Sequence, residues 1–268
     1  MIPLPLPLKV IQKGKNKATF EVEGLYPGFG VTVGNALRRV LLSSLEGAAV
    51  TEVKIKGVSH EFSTISGVLE DVIMIILNLK NLKFKIFDGE MQKVSLKVKG
   101  EGEVTGADFK LSPQVKIMNP ELHVATITDK KVELEMEITI EKGIGYEPKE
   151  QRHVKKSEIG SIAMDAIFTP IKNVNFQIES VRVGERTDFD KLSLQIETYG
   201  TISPEEAFFQ SCEILIKHFE FIFEGKVSDV SSKSSDDEGG EDSDEKKETR
   251  SAGSGQAKAK KTAKKKTK

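Results

Sequence analysis

Residues Ser203 to Glu224 carry an apolar surface too wide for a small domain to hide, which limits what the chain can fold into more than any other feature. Ser203, Pro204 and Glu206 spell a helix start: a side-chain N-cap, a residue pre-set for the first helical position, and the glutamate that closes a capping box. Beyond it, Glu206, Gln210, Glu213, Lys217, Glu220 and Glu224 fall on one narrow polar stripe. Phe208, Cys212, Leu215, Phe219 and Ile222 repeat at spacings of four and three, the seam of packed helices, flanked by Phe209, Ile214, Ile216, Phe221 and Phe223. Two arrangements cover such a helix: burial inside a larger core, or one side on its own sheet and the other against a second chain. In either setting Cys212 reads as a small core residue and not as a reactive thiol.

A second helix is predicted after the glycine turn at Gly28 and Gly30, with Thr32 as its N-cap. Val33, Ala36, Leu37, Val40 and Leu41 recur at helical spacing and face inward. The opposite arc holds Asn35, Arg38 and Arg39, and Leu42 falls among them. A leucine beside arginines is the composition of a protein contact patch; a solvated charged face is the other reading.

Alternation at Val50, Val53 and Ile55 predicts a strand, and Leu69 to Leu79 a strongly apolar helix with Glu70 and Asp71 in its first turn and Lys80 in its last, each complementing the helix dipole. Period two dominates from Phe84 to Lys142, and further strands are expected over Val174 to Val183 and Leu192 to Ile196. The residues alone place a domain boundary near Gly143 to Lys156, where glycine, proline and charge interrupt the periodicity.

Enzyme chemistry finds little support. Gly28, Gly30 and Gly34 before a helix suggest a dinucleotide loop, but Thr19 to Glu23 alternates apolar and polar, unlike the strand of a doubly wound sheet. His60, His123, His153 and His218 are scattered, without metal-ligand spacing. No catalytic residue, cofactor or metal is expected. The single cysteine and the absence of a signal or a membrane-length apolar run point to the cytoplasm. The net charge of −1 conceals an uneven distribution: residues 226–268 hold 12 basic and 9 acidic side chains, the rest 28 and 32. That tail, acidic and serine-rich first and then lysine-rich from Lys258 to Lys268, has the composition of a disordered segment. It either binds nucleic-acid phosphates without sequence preference, making the chain a nucleic-acid-binding module, or simply solubilises the chain.

The helix segment from Gly28 to Leu45, with Thr51–Ile55, Gly57–Thr64, Gly67–Asp71, Leu77–Lys80, Gly143–Tyr146, Arg182–Leu192 and Thr201–Ala207, resembles the N-terminal domain of the bacterial RNA polymerase α subunit. The likeness spans about residues 1 to 225. It implies an α+β fold in which residues 1–47 and 173–225 form a discontinuous dimerisation domain and 48–172 an inserted β-rich domain. It also implies a non-catalytic homodimer on which the β and β′ subunits assemble, with magnesium carboxylates left to those large subunits. Matched position by position, Arg39 and Leu42 correspond to the β contact, with Arg38 and Asn35 beside them, and Lys80 and Met164 to the β′ contact. Phe208, Cys212, Leu215, Phe219 and Ile222 correspond to the dimer interface. The tail departs from the family pattern, which places a small helical DNA-binding domain after a linker; contact with DNA is then expected only indirectly, or weakly through the lysines.

Overall fold

The computed structural model describes residues 2–151 and 160–225. In chain order the strands are β1 (Lys9–Lys13), β2 (Lys17–Leu25), β3 (Glu46–Ile55), β4 (Phe84–Ile86), β5 (Met91–Lys99), β6 (Gly102–Thr105), β7 (Phe109–Lys110), β8 (Val115–Ile117), β9 (His123–Ile127), β10 (Glu133–Ile144), β11 (Tyr146–Glu147), β12 (Ser161–Ala163), β13 (Ala166–Ile167), β14 (Ile171–Val183) and β15 (Arg186–Thr198). The helices are α1 (Phe29–Ser43), α2 (Val72–Asn81) and α3 (Pro204–Phe223). The fold is α+β, as the family resemblance implies. The disorder expected of residues 226–268 lies outside the described residues, as do His153 and the end of the expected 143–156 boundary; β10 itself runs unbroken through Gly143.

Two sheets organise the chain. An antiparallel sheet of order β1-β2-β15-β14 joins residues near the N-terminus to residues far along the sequence. Ala18, Phe20, Leu37, Leu41 and Leu45 pack there with Val174, Leu194, Ile196 and Phe208, so a single core is drawn from both ends of the chain. The second sheet, of order β7-β5-β10-β3-β4-β8 with β12 beside β3, covers α2 through Val53, Ile75, Leu79, Leu96 and Ile138. On its open face Lys93 meets Glu137, and Lys97 reaches Glu133 and Glu135; such exposed pairs each contribute about 1 kcal/mol or less.

Local signals set the helix ends with mixed success. Ser203 caps α3 and Glu206 reaches back to the Ser203 N–H, the predicted box in full. The start of α1 is different from the expectation: the helix begins at Phe29, and Thr32 is no cap but donates its hydroxyl to the Gly28 carbonyl. The free amides are taken by Asp190 of β15, whose Oδ2 accepts from Gly28 N–H and Gly30 N–H at 2.9 and 3.0 Å. Gly28 itself sits at φ 86°, where a side chain would be strained. At Gly34 a Cβ would fall 2.8 Å from the Phe176 ring, so only glycine lets α1 lie this close to its sheet.

α2 starts at Val72 with Asp71 as its cap, accepting from Met74 N–H at 2.8 Å. Glu70 therefore lies outside the helix and does not serve its dipole. Its carboxylate instead accepts from Thr126 N–H at 2.6 Å, from the Thr126 hydroxyl, and meets His123 at 2.9 Å, while the other His123 nitrogen meets Glu103 at 2.9 Å. Burial works to raise the Glu70 carboxyl, but the Thr126 amide and His123 outweigh it and hold the group below its ordinary value. The Glu70 hydrogen bond, helped by Glu103 and opposed by burial, raises His123 above its ordinary 6.5. A raised imidazole stabilises the fold fully below its unfolded value and loses that contribution as pH climbs through the folded one. The lowered carboxylate does the reverse on the acid side. Thermal melts of the chain and its His123→Gln variant are thus expected to differ most near pH 6 and to converge toward pH 8. A gap that stays constant across that range contradicts the pairing.

Candidate protein-contact surfaces

Capping by Asp190 and packing through Gly34, Leu37 and Leu41 fix the rotation of α1 about its axis. Asn35, Arg38, Arg39, Leu42 and Ser43 are left facing outward, with Leu42 41% exposed. The Arg38 guanidinium lies 5.6 Å from the centre of the Phe176 ring, and among the described residues neither arginine sits in an ion pair. The face is thus an apolar side chain between two cations free to meet carboxylates. At the helix's far end the strand-edge residues Ile144 and Tyr146 are also exposed, next to Gly145, which abuts the Ser43 carbonyl. A phosphate has no place at the N-terminus of α1, because Asp190 occupies the amides a dinucleotide would need.

Lys80 and Met164 line one depression, with Glu61, Phe62, Ile73 and Leu77 around them. Lys80 Nζ pairs with Asp165 at 3.0 Å and Lys149 Nζ with Glu61 at 3.2 Å. The Lys149 N–H and then Lys80 keep the Asp165 carboxyl below its usual range. Met164 is only 2% exposed and forms the floor, so a partner meets Lys80 and the apolar rim before it meets Met164. Phe62 and the α2 residues Ile73 and Leu77 carry most of the exposed apolar surface here, which the strong burial of α2's other face masks in the sequence.

The expected interface residues of α3 divide along the helix. Phe208 is 6% exposed and stacks on Phe20 with ring centres 4.7 Å apart, which places it in the core of its own copy. Cys212 and Leu215 are half-buried against that same core, and burial pushes the Cys212 thiol up. Phe219 and Ile222 are 64% and 71% exposed, alongside Phe209, Ile216, Phe221 and Phe223. The helix outruns the sheet that covers its first half.

Residues 53–169 match the RNA polymerase Rpb3/RpoA insert domain. Over 211 residues the chain is 49% identical to the DNA-directed RNA polymerase subunit alpha of Symbiobacterium thermophilum, covering 79% of this chain and 67% of that protein. This chain belongs to the DNA-directed RNA polymerase α subunit family. Relatives of the same name from Flavobacterium psychrophilum (47% over 212 residues) and Clostridium kluyveri (50% over 204) each match 64% of their own length, so the chain spans about two thirds of the α subunits it resembles. The match to the α subunit of Symbiobacterium thermophilum takes in 79% of this chain, well beyond the stretch assigned to the insert domain. Among the described residues no helix is long and apolar enough to cross a membrane, and no group of three or more acidic, histidine or cysteine side chains is placed to hold a metal ion.

Proposed function

We propose that this α-family chain forms a homodimer and serves as the cytoplasmic platform on which the β and β′ subunits of DNA-directed RNA polymerase assemble, contributing geometry and no catalytic group. The observation that carries the reading is the uncovered apolar half of α3, from Ile216 to Phe223. Four phenylalanines there and at Phe209, at 150–250 Å² each and about two-thirds exposed, offer roughly 400–700 Å², close to the ~800 Å² per partner of a stable interface. In this reading residues 1–47 and 173–225 make the dimerisation domain and 48–172 the insert. Asn35, Arg38, Arg39 and Leu42 receive β, and the depression around Lys80, floored by Met164, receives β′. Weak contact with DNA is left to the lysine-rich tail.

Two copies present the same α1 face twice, whereas the large subunits differ, so binding the first of them breaks the symmetry. Arg39→Ala and Leu42→Asp alter exposed positions and leave the core untouched. Each is expected to cut co-purification with β about 30-fold or more, the effect of a contact worth roughly 2 kcal/mol, with the dimer intact. Undiminished capture of β by both variants contradicts the assignment.

A further inference from the structure

Between the end of α1, strands β3, β4 and β10, and α3 lies a cleft of about 380 Å³. Leu45, Phe84, Ile86, Ile202 and Ile214 give it an apolar lining. Filling it with apolar side chains returns its water to bulk. Lys85 and Lys142 stand at its rim, both half-buried, and among the described residues neither is in an ion pair. The other charges at the cleft are Lys217 and Glu213, which neutralise each other at 2.7 Å, and the exposed Glu46, while the capping Glu206 lies within electrostatic reach of Lys85. The cleft therefore favours an apolar occupant bearing negative charge.

The end of α3 has that chemistry. Phe219, Ile222 and Phe223 are exposed there, and Glu220 and Glu224 lie among them, outside any ion pair of the described residues. We propose that the C-terminal end of α3 from a second copy seats in this cleft, its Glu220 and Glu224 facing Lys85 and Lys142. The proposal rests on the homodimer reading and adds to it the insert's Lys85 and Lys142 as partner-contacting residues.

Two-fold symmetry makes the exchange reciprocal: each copy offers one cleft and one helix end. Gln210 and Ile214 of α3 line the cleft of their own copy, so seating the partner's helix end there requires the two helices to run antiparallel and to cross near Leu215 and Ile216. From that crossing to Phe223 the helix extends roughly 12 Å at 1.5 Å per residue, and Gln210 lies roughly 8 Å away on the other side. One helix end thus falls beside the first turns of the other helix, where the cleft opens.

Charge reversal in the full-length chain tests the seat. In one variant Lys85→Glu and Lys142→Glu make the cleft acidic; in the other Glu220→Lys and Glu224→Lys make the helix end basic. Each variant alone sets like charges against each other at both seats, whereas a mixed dimer restores opposite charges at both. Native mass spectrometry at low salt is expected to show each variant dimerising at least tenfold more weakly than the wild type, and the mixture forming heterodimers in large excess over the statistical half. The preference is expected to fade as salt is raised. Wild-type affinity in both variants with statistical mixing overturns the seat and leaves the dimer standing. A wild-type chain that is monomeric in the same experiment overturns both.

Discussion

Phe219→Asp combined with Ile222→Asp is expected to leave a folded monomer under conditions in which the unaltered chain forms the proposed dimer. Both side chains are mostly exposed in a single copy, so the fold of one copy loses little when they become charged. In a paired state each aspartate enters a desolvated apolar contact, and the two-fold axis doubles every substitution. Interface anchors of this kind each account for about 2 kcal/mol or more, so two per copy weaken association by roughly 10³-fold or beyond. Light scattering after gel filtration reads the mass, and circular dichroism reports whether α3 persists. A dimer of unchanged affinity excludes this end of α3 from the interface.

Phe208→Ala, eleven residues earlier on the same helix, is expected to act in the opposite way. Its ring is buried against Phe20 in the core shared by α1, α3 and the four-stranded sheet. Removing a buried phenylalanine costs about 3–5 kcal/mol, through lost transfer energy and the cavity left behind. For a domain of this size that lowers the melting temperature by roughly 6–20 °C, while association at temperatures below the melt survives. Lost association with an unaltered melting temperature moves Phe208 back to the interface.

The contrast between Phe208 and the pair Phe219 and Ile222 marks how far the sequence is legible. The seam from Phe208 to Ile222 is one uninterrupted pattern, and periodicity says that a helix face is apolar without saying which stretch its own sheet covers. The covered stretch depends on how far α3 outruns β2 and β15, a tertiary fact. The Ser203–Glu206 box was readable because its donors and acceptors sit three residues apart. The cap of α1 was not, since Asp190 lies 160 residues beyond Gly30, and the nearby Thr32 offered a false local candidate. Glu70 is hidden for the same reason: two acidic residues before an apolar run suit a helix dipole, yet only Asp71 stays at the helix while Glu70 turns to Thr126 and His123.

The candidate surfaces divide in the same way. The outward arc of α1, Asn35, Arg38, Arg39 and Leu42, followed from helical spacing, because the core side of that helix is marked by small and apolar residues at regular intervals. Lys80 and Met164 are marked only by family likeness, which transfers position without burial; in the structure Met164 is a floor. Phe62, Ile73 and Leu77, which rim that floor, were hidden because α2 is apolar nearly all round and its exposed side has no polar residue to announce it.

The central claim is that one copy leaves apolar surface which a second copy covers. Sedimentation equilibrium of the purified full-length chain at low micromolar concentration measures this directly. The account predicts twice the 29.6 kDa of one chain, with a fitted dissociation constant below that concentration. A stable species of single-chain mass at tens of micromolar contradicts it.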